Sequence, residues 1–288
     1  MSDFKIDKNT EIFLDMPNET YHSANGISKS NLDKMHISPL HYKTYKDTPQ
    51  EDTEALLFGR AYHTMIGQPE LFDGEFAIAP KCDRRTKQGK ADYESFLLEA
   101  GNKTILSEKD FDKLCKMKEA FYQHPIAPKL IDGGIFETSI FWDNKDLDIR
   151  CKCRPDCINN DYIIDFKTTE SSNPDEFMKS AYKYRYYAQS DWYQEGYKAA
   201  YGKRPKGFIF IAQEKTAPFA VTVFEADWYF TKLGEIENLE DARKFSNCVH
   251  SNKFYGYGYN ENSDEYEIQK LNLPIYALKN NFADKMGG

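Results

Sequence analysis

Between Cys157 and Thr169 the apolar residues fall into two short blocks, Cys157-Ile158 and Tyr162-Ile163-Ile164, separated by Asn159-Asn160-Asp161. Apolar blocks of this length around an Asn/Asp cluster predict the two strands of a hairpin. With a loop of two or four residues, the period of two along each strand places Asp156, Asp165 and Lys167 on one face. A three-residue loop without a bulge would separate them. The Ile163-Ile164 run predicts a buried strand, and an aspartate inside such a strand needs a partner or a metal.

The rest of the chain carries its own start and stop signals. Ser28-Lys29-Ser30-Asn31-Leu32 opens a helix, and Ser38-Pro39 opens the next, with proline at the first helical position. Thr53–Ile66 predicts an apolar helix with Leu57, Ala61 and Ile66 inward and His63 partway along. A strand is predicted at Glu75–Ala79 and a helix at Ala91–Ala100. Phe111, Leu114, Met117 and Phe121 follow Ser107 at helical spacing, and that helix should end before Pro125. Ile135–Trp142 alternates as one strand, with Phe136, Thr138, Ile140 and Trp142 on one side and Glu137 and Ser139 on the other.

Asn173-Pro174-Asp175-Glu176 starts a helix predicted to run to Tyr201, where Gly202 closes it. Tyr182, Tyr186, Tyr193 and Tyr197 form a stripe along it, a pattern that predicts core. Lys206–Ala212 and Phe219–Phe224 predict two more strands, and Asp227–Phe245 a helix. Residues 1–22 read as an irregular or short-strand lead, and residues 251–288, rich in Asn, Gly and Tyr, as irregular. This order predicts an α/β fold: a central mixed sheet flanked by helices, with an N-terminal helical layer.

Composition narrows the function classes. A chain of 288 residues, 40% hydrophobic and with 20 Tyr and 20 Phe, can bury a proper core. It has no apolar run of membrane-span length and Met1–Thr10 lacks a signal-peptide core, so a cytoplasmic location with no membrane contact is expected. The net charge of −8 counts against a protein that simply coats nucleic acid. Locally, however, Lys81, Arg84, Arg85, Lys87 and Lys90 put five basic residues within ten, a candidate phosphate contact. Of the six cysteines, Cys151, Cys153 and Cys157 lack zinc-knuckle spacing. Alternation predicts that these three point together, away from the carboxylates, as buried free thiols.

Two close carboxylates bind a hard divalent cation, and a neighbouring lysine can orient a water for attack on a phosphodiester. With these residues in view, the chain resembles the PD-(D/E)xK nuclease superfamily, and within it the RecE (exonuclease VIII) type of phage recombination exonuclease, related to RecB-type and lambda-type nucleases. The motifs fall in order over most of residues 20–225. Ser28-x-Ser30-x-Leu32 and Ser38-Pro39 look like the family's leading helices, and Phe58-Gly59-Arg60-Ala61-Tyr62-His63 like its Gly-x-x-x-His motif. Glu137 matches the acidic residue of the preceding strand, Asp156 the aspartate of PD, Asp165-Phe166-Lys167 the (D/E)xK, and Gln189-x-x-x-Tyr193 the QxxxY motif.

The resemblance implies catalytic roles for Lys167, Asp156, Asp165, Gln189 and Tyr193. It implies metal ligation by His63, Glu137, Asp156, Asp165 and the Phe166 carbonyl, and DNA contact by Arg84, Arg85 and Lys87. It further implies Mg2+, with Mn2+ able to substitute, and no iron–sulfur cluster, since the cysteines depart from that pattern. The activity implied is 5′-to-3′ digestion of double-stranded DNA ends, leaving 3′ tails for a single-strand annealing protein. A homo-oligomeric ring, trimer or tetramer, in a bacterial or phage-infected cell completes the expectation. Residues 1–250 would form one nuclease domain, with leading helices over 20–125 and the catalytic sheet and helices over 130–250. An endonuclease or single-strand nuclease of the same superfamily is the alternative within enzymes. A non-catalytic DNA-binding module and a metal-stabilised structural protein are the others.

Overall fold

A computed structural model describes residues 10–49 and 52–275. Strand β1 (Thr10–Phe13) precedes helices α1 (Asn18–Ser23), α2 (Lys29–Ile37), α3 (Pro39–Asp47) and α4 (Glu54–Gly67). Then come α5 (Phe72–Glu75), β2 (Phe76–Ile78), α6 (Lys87–Ala100), β3 (Thr104–Leu106), α7 (Glu108–Gln123) and α8 (Ala127–Ile131). Strands β4 (Ile135–Phe136), β5 (Ser139–Asn144), β6 (Ile149–Cys153), β7 (Cys157–Asn159) and β8 (Tyr162–Thr169) follow. Helices α9 (Pro174–Lys183) and α10 (Tyr186–Tyr201) lead to β9 (Gly207–Glu214), β10 (Val221–Glu225), α11 (Trp228–Ser251) and a small hairpin, β11 (Tyr259–Asn260) with β12 (Glu265–Tyr266). The starts of α3, α4, α7 and α9 are where the hydroxyl and amide caps predict them. Ser38 accepts from His41 N–H, Thr53 from Leu56, Ser107 from Asp110 and Asn173 from Asp175.

The central sheet is mixed and runs β10-β9-β8-β7-β4, with β8 and β9 parallel and the other neighbours antiparallel. A separate antiparallel sheet runs β1-β5-β6. Strand β8 is buried on both faces, which is why its apolar run is continuous. Ile164 and Phe166 pack with Tyr62, Met65, Leu114, Met117 and Phe121 on one side. Ile163 packs with Phe177, Trp192, Phe208 and Phe210 on the other. Among the described residues, no helix is long and apolar enough to cross a membrane.

Several expectations need correction. Ile135–Trp142 is not one strand: Glu137 takes a left-handed φ of +50°, and the chain passes from β4 in the central sheet to β5 in the other. Thr138, Ser139, Ile140 and Phe141 are all fully buried, so the alternation does not separate an inner from an outer face. The helix expected over 174–201 breaks between α9 and α10 at Arg185, φ +54°. Tyr182 is 66% exposed and not core, whereas Tyr197 is buried. In α4 the fully packed side chains are Phe58, Ala61, Tyr62, Met65 and Ile66, with Leu57 half-buried. Helix α6 starts earlier than Ala91, and α11 runs on to Ser251. Cys157 faces the opposite core from Cys151 and Cys153, because the break at 154–156 puts β6 and β7 in different sheets. Residues 252–275 are not wholly irregular: the Tyr255 carbonyl accepts from Leu40 N–H, and Phe254 stacks on Tyr42 of α3.

Helices α10 and α11 are packed closely enough to need a glycine. A Cβ on Gly234 would lie 2.1 Å from the Tyr187 carbonyl oxygen, a backbone atom that cannot rotate away. Gly234→Ala should therefore push the two helices apart and cost about 1–3 kcal/mol, the usual range for overpacking, read as a lower urea midpoint at unchanged slope. A midpoint equal to the parent's would show that the contact is slack.

Candidate metal and phosphodiester site

The loop between β7 and β8 has two residues, Asn160 and Asp161, and both take positive φ, as a type I′ turn requires. The register pairs Cys157 with Ile164, so Asp156, one residue before β7, comes level with Asp165. Of the loop lengths open to the sequence, this is one that gathers the charges. Asp156 Oδ2 accepts from the Phe166 backbone N–H at 2.7 Å. Asp165, 1% exposed, forms an ion pair with the Lys167 ammonium and accepts at Oδ1 from Gln189 Nε2, 2.5 Å away on α10.

Two further groups arrive from distant elements. His63, on α4, donates from Nε2 to the Phe166 carbonyl oxygen at 3.0 Å, and its Nδ1 lies 3.4 Å from Asp156 Oδ2. Glu137 enters from the left-handed turn between β4 and β5, whose backbone N–H donates to the Asp156 carbonyl at 3.1 Å. Ligand atoms of His63, Glu137 and Asp156 all lie within 4.8 Å of one another. One imidazole and carboxylate oxygens, with Asp165 beside them, form a donor set suited to a divalent cation.

The electrostatics fit such an occupant. Burial raises the Glu137 carboxyl to about 7, and the Asp156 charge adds to that. Burial likewise raises Asp165 to about 6, with Lys167 opposing and Asp156 reinforcing. At His63 burial works downward, but the charge and hydrogen bond of Asp156, with Asp165 and Glu137, raise the imidazole to about 9. Asp156 itself is lowered: burial opposes, and His63 and Lys167 outweigh it. Two of the three crowded carboxylates are thus held above their ordinary range, and a divalent cation would favour their charged forms.

His63, Glu137 and Asp165 all hold protons more tightly folded than unfolded. The stability they add is full below their unfolded values and is lost as pH rises through about 6, 7 and 9. The metal-free protein should therefore lose thermal stability from pH 6 to pH 9. A divalent cation must displace these protons, so its affinity should rise by about ten-fold per pH unit for each proton displaced. Calorimetry in buffers of different ionisation heat measures that release directly, and cation binding without proton release would sink the assignment of His63 and Glu137 as ligands.

The other residues singled out in the sequence are placed less centrally. Tyr193 is half-buried against Phe208, ring centroids 6.2 Å apart, and the Asp165 and Asp156 charges contribute to its raised pKa after burial and Tyr21. Arg84, Arg85 and Lys87 lie on an exposed arm. Arg85 is clamped to Asp83 at 3.0 Å, the Arg84 guanidinium sits over the Tyr93 ring, and Lys87 begins α6. Among the described residues no hydrogen bond or ion pair joins them to the carboxylates.

Two members went unread in the sequence, although a signal existed for each. Arg154 shares the period-two face of Asp156; its Nε donates to Ser139 Oγ at 2.8 Å and lies 4.0 Å from Glu137 Oε2. Tyr186 lies three residues before Gln189, one helical turn away, and its ring faces Lys167 Nζ at 4.8 Å.

A family model described as a PDDEXK-like domain of unknown function (DUF3799) matches residues 28–257. No curated protein matches the sequence. Among solved structures, that of a "putative exonuclease" from Eubacterium rectale aligns with a TM-score of 0.61, covering 93% of this chain and 100% of that one at 13% identity. Likeness at that identity speaks for the fold, which is the α/β arrangement expected from the element order.

Proposed function

The chain belongs to the PDDEXK-like family DUF3799, and from that premise we propose that it is a divalent-metal-dependent nuclease, most specifically a Mg2+-dependent exonuclease of double-stranded DNA ends. Convergence supports this above all: His63 and Glu137, from α4 and the β4–β5 turn, meet Asp156 within 4.8 Å, beside the Asp165–Lys167 pair. The description of the Eubacterium rectale neighbour points the same way.

In this reading His63, Glu137, Asp156, Asp165 and the Phe166 carbonyl would hold the cation, which would neutralise charge on the scissile phosphate and acidify a water. Lys167, held as an ammonium by Asp165 and Asp156, would orient that water through Nζ and give a proton to the departing oxygen. Gln189 fixes Asp165 by its hydrogen bond, Tyr193 walls the site, and Arg84, Arg85 and Lys87 contact backbone phosphates. The sequence resemblance favours 5′-to-3′ polarity, a 3′ tail passed to an annealing protein, and a ring of subunits that keeps an acidic protein on DNA.

Linear duplex labelled at the 5′ or 3′ end, incubated with Mg2+ or EDTA beside a covalently closed circle, tests the proposal. Mg2+-dependent release of the 5′ label with the circle intact is the expected result. A cut circle would move the protein to the endonuclease reading, and no loss of either substrate would overturn the nuclease reading.

A further inference from the structure

The kink at Arg185 does more than end a helix. Because Arg185 is left-handed, α9 and α10 are offset, and Tyr184 and Tyr186 on either side of it come to lie ring against ring. Their centroids are 6.0 Å apart and the planes 28° apart. The inner ring, Tyr186, is half-buried and faces the Lys167 ammonium. The outer ring, Tyr184, is 55% exposed, a large aromatic surface held out to solvent. Two cations attend it: Lys183 Nζ sits 5.4 Å from its centroid, and Lys29 Nζ donates to its carbonyl oxygen at 3.1 Å. Lysine, stacked tyrosines and lysine thus form one continuous ladder from the carboxylate site to the surface.

We propose that Tyr184, backed by Tyr186, is a stacking platform for an unpaired nucleobase of the strand held at the carboxylate site, a reading that rests on the nuclease proposal. Any base can stack on such a ring, since each has a π-face, and the adjoining phosphates are anions that Lys183 can meet. Continuity with the site decides the occupant. A protein partner would have no reason to dock on a ladder that ends at Lys167, whereas a strand whose phosphate lies among the carboxylates carries its neighbouring base within reach of these rings. The tyrosine stripe is read in this way as part core, part substrate surface, with Tyr197 buried and Tyr184 added at the kink.

Fluorescence anisotropy in EDTA, where nothing is cut, tests the platform on duplexes carrying a short single-stranded tail, either normal or with abasic residues. The protein should bind the abasic tail about ten-fold more weakly than the normal one, the scale of a single base–aromatic stack. Tyr184→Ala should bind the normal tail as weakly as the parent binds the abasic tail, and should no longer distinguish the two. Tyr184→Trp should restore the discrimination, which a merely structural tyrosine would not do. Undiminished discrimination in Tyr184→Ala, or none in the parent, overturns the platform. Absence of binding to any tailed duplex overturns it as well, and the end-label digestion then reports separately whether the nuclease reading falls with it.

Discussion

Lys167→Met should lower metal-dependent phosphodiester cleavage by about 10²–10⁴-fold, the range for losing a positioned proton-transfer group, while divalent cations still bind. Methionine keeps the length and the apolar contacts of the stem and removes only the ammonium. That ammonium pairs with Asp165, faces the Tyr186 ring at 4.8 Å, and is held above its ordinary pKa by Asp165 and Asp156 against the pull of burial. Its loss leaves more negative charge uncompensated around the candidate ligands, so cation affinity should stay the same or rise. Cleavage lost together with cation binding would mean that the lysine only holds the carboxylates in place. The variant should also be destabilised at pH 8 more than at pH 5, because Asp165, already raised to about 6 by burial, can discard its unpaired charge by taking up a proton. Rate, affinity and pH dependence together separate chemistry from architecture.

Arg185→Ala should cost about 3–5 kcal/mol, the range for breaking a buried ion pair by deleting one partner. The guanidinium donates to Asp33 at 3.0 Å, to Glu237 at 3.1 Å and to Asp241 at 2.8 Å, and so ties α2, α10 and α11 together. Asp241 is 3% exposed, and apart from Arg185 its charge is met by His36 at 3.1 Å. Arginine already bears the strain of φ +54° and alanine keeps it, so Arg185→Ala reports the electrostatic loss, whereas Arg185→Gly also relieves the strain and should cost less. Arg185→Lys should recover only some of the loss, since an ammonium cannot fork to three carboxylates. A denaturation loss below about 1 kcal/mol for both Ala and Gly, the value of an exposed pair, would show that the network is solvated. Because α10 also carries Tyr186 and Gln189, a destabilised Arg185 variant should lose cleavage as well.

Both residues show where the sequence could be read and where it could not. Asp156, Asp165 and Lys167 share a face because of a two-residue turn and a period of two, both local, and all three were legible. His63 and Glu137 could be named only through an ordered resemblance, since nothing near either residue says what it meets across the fold. In sequence Glu137 reads as part of a continuous strand, and its left-handed backbone, which carries the carboxylate to Asp156, has no local signature. Tyr186 and Arg154 were missed although helical spacing from Gln189 and alternation from Asp156 already pointed to them.

By itself the sequence determined the capped starts of α2, α3, α4, α7, α9 and α11, the hairpin, the buried character of β8 and the choice of α/β layers. Caps, turn residues and hydrophobic periods act between neighbours a few positions apart, and a linear string records them. The tertiary structure alone decided the break at Arg185, the turn at Glu137, the split of the cysteines between two cores and the ladder from Lys167 to Tyr184. Arg185 meets partners 52, 56 and 152 positions away. Burying those charges together fixes a backbone conformation that local propensity would not choose, so only the folded chain shows it.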